Sequence, residues 1–243
     1  MEKEDLGLPF YARDNEMRAI LYSDLKRNNS NYSPADICFV CATTKSMDKY
    51  ITKIENHLIS FLNMVYSAIN TRPRVAFIGY KDKGDKYQIK LKEFTTEYEE
   101  MEKFIRGIKC EGSGNGCVDI VTPLREALKL DWSSDSNYVY LIADAPPHGR
   151  SYHTDKYSDD YPEDDKYKVL EKLASHYRRS KIILTIIKCN DSVDKMIEIL
   201  EESYNSSKNK LNVINLRSNL WEAFREWFFY DTIDYYSESI SEV

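Results

Sequence analysis

The sequence is poor in glycine and proline, with eight and seven among 243 residues, about half the usual combined share of roughly 12%. That excludes a collagen-like or linker-like chain. No run of 18 uncharged apolar residues occurs, so neither a transmembrane helix nor a membrane partner is expected. The first residues, MEKEDLGLPFYARDNEM, lack the apolar centre of a secretory signal. Positive charge is not in excess either: 34 Lys+Arg stand against 40 Asp+Glu, a net charge of −6. Nucleic acid is therefore not an expected partner. Gly-x-Ser-x-Gly, His-Glu-x-x-His and the phosphate-binding Gly-x4-Gly-Lys-Ser/Thr are all missing. No catalytic residue is assigned, and the chain is expected not to be an enzyme. Five cysteines, an odd number with no export signal, point to reduced thiols and a cytoplasmic location.

What is present is a folded α/β pattern. Aromatic residues make up 13% of the chain, 19 of them Tyr, which argues against disorder in its bulk. Short apolar runs at Ile37–Ala42, Val75–Tyr80, Val139–Ala143, Ile182–Ile187 and Leu211–Ile214 read as strands covered on both faces of a parallel sheet. Tyr87–Lys92 instead alternates apolar with polar residues. It follows Tyr80 after the short link KDKGDK, which permits only a hairpin, so it predicts an antiparallel edge strand. Helical spacing falls between these runs, from Met47 to Val65, Tyr98 to Ile108, around Leu124, Tyr167 to Tyr177, Val193 to Tyr204 and Leu220 to Trp227. The expected architecture is α/β: a doubly wound, Rossmann-like, mainly parallel six-stranded sheet with one antiparallel edge strand and helices on both faces. Residues 1–34 read as a flanking segment, 35–230 as the domain and 231–243 as a polar tail. Cys38 and Cys41 sit three apart on a strand and so point to opposite faces, which makes them buried thiols rather than a metal or redox pair.

In such a sheet the ligand site lies past the strand carboxyl ends, where strand order reverses. The chain grows one way through VAFIGY and its hairpin, then returns for VYLIA. The reversal therefore falls between the first strand and VYLIA, whose ends lead into Thr43–Ser46 and Asp144–Gly149. Hydroxyls and a carboxylate meeting there are the oxygen donors a hard cation takes.

The string DICFVCATTKSM before a long helix resembles the opening of a von Willebrand factor A domain, where an apolar strand ends in Asp-x-Ser/Thr-Gly-Ser-Met. The resemblance continues through RVAFIGYKDKGD, EFTT, GSGNGCVDI, LDW and LIADAPPHG, and covers roughly residues 35–205. The combination is most similar to the A domains that accompany atypical alpha-kinases. The stretch beyond residue 205 is too short to be expected to hold a kinase domain. The resemblance implies a metal-ion-dependent adhesion site of three loops. Thr44 and Ser46 match its two hydroxyl ligands, Asn115 or Asp119 its second loop, and Asp144 its second carboxylate. Ala42 stands where the family has Asp, and Lys45 where it has Gly. With one negative charge gone and an ammonium added, which could pair with Asp144, the site is expected to be degenerate. It would hold no cofactor, or Mg²⁺ or Ca²⁺ at low affinity.

Simpler roles compete for these residues. Thr44 and Ser46 could cap the following helix, and Asp144 the following turn. His148 and His153, with Asp155, Asp159 and Asp160 nearby, could bind zinc, but a solvated loop is the expected account of residues 148–166. DDYPEDD reads as a solvated charge run, or as a patch for calcium or a basic partner. The expected function is a non-catalytic intracellular protein-interaction module whose ligand-binding residues are Thr44, Lys45, Ser46, Asn115, Asp119 and Asp144. The alternatives are a regulatory component of an alpha-kinase system, an active Mg²⁺- or Ca²⁺-dependent ligand-binding domain, and a remnant that keeps only its fold.

Overall fold

The computed structural model describes residues 35–52, 54, 58, 73–112, 116–154, 156–206 and 210–216. The 1–34 flank, most of the first expected helix, Asn115, the helix from Leu220 to Trp227 and the 231–243 tail lie outside the described residues.

Six strands form one sheet: β1 (Ala35–Ala42), β2 (Arg74–Tyr80), β3 (Ile89–Thr95), β4 (Ser136–Ala143), β5 (Ile182–Lys188) and β6 (Asn212–Asn215). Their order is β3-β2-β1-β4-β5-β6, with β3 alone antiparallel. Every residue of β1 is buried, and its apolar run Ile37–Ala42 suits a central strand covered on both faces. The edge strand begins at Ile89 rather than Tyr87, because Tyr87 adopts a left-handed backbone (φ 56°) that ends the hairpin link. Its register against β2 shifts between Val75 and Phe77, which carries pairing on to Thr95.

Four helices are described whole: α1 (Tyr98–Arg106), α2 (Val121–Leu128), α3 (Val169–Arg179) and α4 (Asp194–Tyr204). Each buries one stripe, such as Leu170, Leu173, Ala174 and Tyr177 of α3. The expected start of α3 at Tyr167 is corrected. Residues 162–168 form turns, and Lys168 is left-handed (φ 48°), so the helix begins at Val169 and leaves Tyr167 exposed. The Tyr177 hydroxyl donates to the Leu124 carbonyl at 2.6 Å and ties α3 to α2.

A clamp closes the amino end of the sheet. Arg74 donates to both carboxylate oxygens of Asp36, at 2.9 and 2.7 Å, across the β1–β2 register. Ser133 N–H, Ser134 N–H and the Ser134 hydroxyl donate to the same carboxylate at 2.8, 3.1 and 2.8 Å. Arg74 also donates to the Asp131 carbonyl, which explains structurally why LDW sits where it does. Burial pushes the Asp36 pKa up, but Arg74 and the serine donors outweigh it and hold it below the usual carboxylate range. The unfolded chain therefore takes up this proton first as pH falls. The clamp's stability is present above the ordinary carboxylate pKa of about 3.9 and is lost as pH drops through that value toward the folded one. Urea unfolding should show a stability loss toward about pH 3 that is shallower in Asp36→Asn.

Candidate functional site

β1 and β4 are adjacent and parallel, so their carboxyl ends deliver Thr43–Ser46 and Asp144 to the same edge of the molecule. Thr43 is fixed by two bonds to the Tyr80 carbonyl, from its N–H at 2.7 Å and its hydroxyl at 3.0 Å. Its close approach needs Gly79, where a Cβ would stand 3.1 Å from the Thr43 methyl. The chain then turns through a short 3-10 segment, Lys45–Met47, into helical residues 48–52. The Asp144 backbone carbonyl is held by Asn190 Nδ2 at 2.8 Å and the Ser192 hydroxyl at 2.7 Å, from the loop after β5.

Thr44 Oγ1 lies 3.0 Å from Ser46 Oγ, and the Ser46 hydroxyl is near enough to the Asp144 carboxylate to favour its charged form. The structure thus brings Thr44, Ser46 and Asp144 together. Thr44 does not cap the turn, since its side chain makes no capping hydrogen bond. Asp144 is buried, and its Oδ1 has no hydrogen-bond partner. Burial raises its pKa, while the Ser46 hydroxyl and the Lys49 ammonium pull the other way. Tyr80 Oη nearby is likewise buried and without a partner. Ala42 is wholly buried at the end of β1, opposite Tyr80 in the register.

Two expectations are corrected. Lys45 does not pair with Asp144; its ammonium lies 3.2 Å from Asp48 Oδ2, both side chains well exposed at 69% and 61%. An i,i+3 partner on the same turn is nearer for a solvated ammonium than a carboxylate buried behind Ser46. Asp119 does not stand free for a cation. It accepts Thr122 N–H at 3.0 Å at the start of α2, the Thr122 hydroxyl at 2.5 Å, and Gln88 Nε2 at 2.8 Å. Asn115 lies outside the described residues.

The expectation of a solvated loop at residues 148–166 is corrected for its histidines, although residues such as Asp160, Tyr161 and Glu163 are exposed. His148 and His153 are buried and converge on Asp159. His148 places Nδ1 2.7 Å from Asp159 Oδ1 and Nε2 2.7 Å from Asp82 Oδ1. Carboxylates only accept, so both ring nitrogens must donate and the ring is held as a cation. Burial lowers its pKa, but the two carboxylates outweigh that and raise it. The link after β2 also carries Lys81, an ammonium that is only 3% exposed and lies 3.4 Å from Glu111. Lys81 and Asp82 went unassigned in the sequence because KDKGDK reads only as a hairpin. Their place directly past the carboxyl end of β2 was the signal that could have found them.

No family model matches the chain. Among solved structures, the chain resembles the VWA domain of SpRpn10, with a TM-score of 0.51 and 12% identity, covering 76% of this chain and 88% of that one. It also resembles the vWF domain of the pilus tip protein Mfa5 from Porphyromonas gingivalis, with a TM-score of 0.57 and 10% identity, covering 84% and 97%.

The chain has the von Willebrand factor A fold.

By sequence it is 28% identical over 135 residues to alpha-protein kinase vwkA of Dictyostelium discoideum, which covers 54% of this chain. The chain matches only 21% of the length of that relative. Among the described residues, no helix is long and apolar enough to cross a membrane, and the five cysteines are buried and unpaired.

Proposed function

We propose that the chain is a non-catalytic, intracellular protein-interaction module whose family cation site is degenerate. The observation that carries this reading is Ala42: a buried methyl at the end of β1, beside the converging Thr44, Ser46 and Asp144. One carboxylate, itself favoured in its neutral form by burial, leaves a divalent ion mostly uncompensated. The residues present therefore do not fit a tightly held Mg²⁺ or Ca²⁺. Partner contact falls instead to the surface of the same edge. The Lys45–Asp48 pair is solvated and so worth little internally, which frees Lys45 to meet a partner's carboxylate at small cost. Unpaired thiols support an intracellular setting.

The similarity to alpha-protein kinase vwkA favours a second reading, in which this module regulates such a kinase in trans. No phosphate transfer from ATP by this chain alone is expected under either reading.

Proteins retained by the immobilised chain should be the same in Mg²⁺-free buffer and in millimolar Mg²⁺. Retention that appears only with Mg²⁺, and is lost in Asp144→Ala, would instead mark an intact cation-dependent site.

A further inference from the structure

The second cluster, built between the loop before α2 and residues 147–159, has the chemistry of a metal centre. Cys117 Sγ, one nitrogen of His153 and one carboxylate oxygen of Asp159 all lie within 4.8 Å of one another. Cys117 is wholly buried, and His153 and the Asp159 side chain nearly so. The backbone fixes this meeting on both sides of Cys117, since Gly116 bridges Ser158 and Val118 bridges Pro147.

The ligand atoms are also oriented. His153 Nδ1 lies 3.0 Å from the Thr154 carbonyl, which can only accept, so Nδ1 carries the ring proton. Nε2 faces Asp159 Oδ2 at 2.9 Å, a contact that either a ring proton or a cation between the two atoms satisfies. Asp159 is braced by His148 and Tyr161 N–H on Oδ1 and by Gly149 N–H on Oδ2. A histidine whose other nitrogen bonds a backbone carbonyl, beside a carboxylate held by outer hydrogen bonds, is the usual supporting arrangement around a bound metal.

We propose that Cys117, His153 and Asp159 form a zinc site that pins residues 147–159 to the loop before α2. A thiolate, an imidazole and a carboxylate suit zinc better than Mg²⁺ or Ca²⁺, which prefer oxygen alone. Zinc bonds of about 2.0–2.3 Å place neighbouring ligand atoms roughly 3.3–3.6 Å apart in a tetrahedron. The His153–Asp159 contact would open slightly and the sulfur would close in. Thiolate plus carboxylate neutralise the ion, and His148 keeps its own balance with Asp82. Binding releases the thiol proton, which burial and the nearby Asp159 and Asp82 carboxylates otherwise hold up to about 12. His153 also lines a polar cleft with Tyr157, Asn190, Ser192 and Lys195.

The test is titration of the reduced full chain with Co²⁺ as a spectroscopic stand-in. One equivalent should produce a thiolate-to-cobalt charge-transfer band and tetrahedral d–d absorption, both bleached by added Zn²⁺. Cys110→Ser should retain the band and Cys117→Ser should lose it. No band, or a band that survives in folded Cys117→Ser, overturns the site. Should Cys117→Ser fail to fold, X-ray absorption on the zinc-loaded wild-type chain decides. One sulfur with nitrogen and oxygen neighbours supports the site; no sulfur, or two or more, overturns it.

Discussion

Replacing Ala42 with Asp should make the stability of this chain depend on divalent cations. The side chain would enter a position with no solvent exposure, opposite Tyr80 and at the end of the strand that pairs with the one leading into Asp144. Without a cation, a second buried carboxylate there has no donor to neutralise it. An uncompensated buried charge costs about 3–5 kcal/mol, and the loss should appear as a lower urea midpoint in Mg²⁺-free buffer. The same substitution completes an Asp-x-Thr-x-Ser set with Thr44 and Ser46, with Asp144 as the second carboxylate. Mg²⁺ at about a hundredfold over its Kd then restores roughly 2.7 kcal/mol. The wild-type midpoint should not respond to Mg²⁺. If Ala42→Asp is as stable as wild type without cation and ignores Mg²⁺, these loops do not form a latent family site.

Asp36→Ala should be the most destabilising single change at the opposite end of the sheet. Five hydrogen bonds converge on its buried carboxylate, two from Arg74 and three from Ser133 and Ser134. Removing it strands two backbone N–H groups and a guanidinium only 30% exposed. Breaking one side of such a pair costs about 3–5 kcal/mol. Arg74→Lys should cost less, because the charge remains while the two-pronged geometry is lost. Denaturant unfolding of both variants checks this. A loss under about 1 kcal/mol for Asp36→Ala would show that water replaces the clamp without penalty.

The sheet was readable because its information is local. ICFVCA and IILTII are continuous apolar runs that only a doubly covered strand can use, and KDKGDK is too short for anything but a hairpin. Strand order followed from chain direction. The first and third loops of the candidate site were readable for the same reason, since each directly ends a strand. What could not be read was which side chains meet across long separations. His148 reaches Asp82 across 66 residues, and no spacing in HGRSYHTDKYSDD announces that. Charge count alone made that segment look solvated, whereas Asp159 is consumed by two imidazoles and two backbone N–H groups inside the fold. Lys45 failed in the opposite direction. Its neighbour in sequence, Asp48, outcompetes Asp144 because a solvated ammonium gains nothing by entering a buried site.

Calorimetric titration of the wild-type chain with Mg²⁺, and then Mn²⁺, tests the proposed degeneracy of the cation site most directly. Prior saturation with Zn²⁺ keeps the cysteine-containing cluster out of the signal. No saturable heat at micromolar metal is the predicted result. A micromolar site that disappears in Asp144→Ala would contradict it.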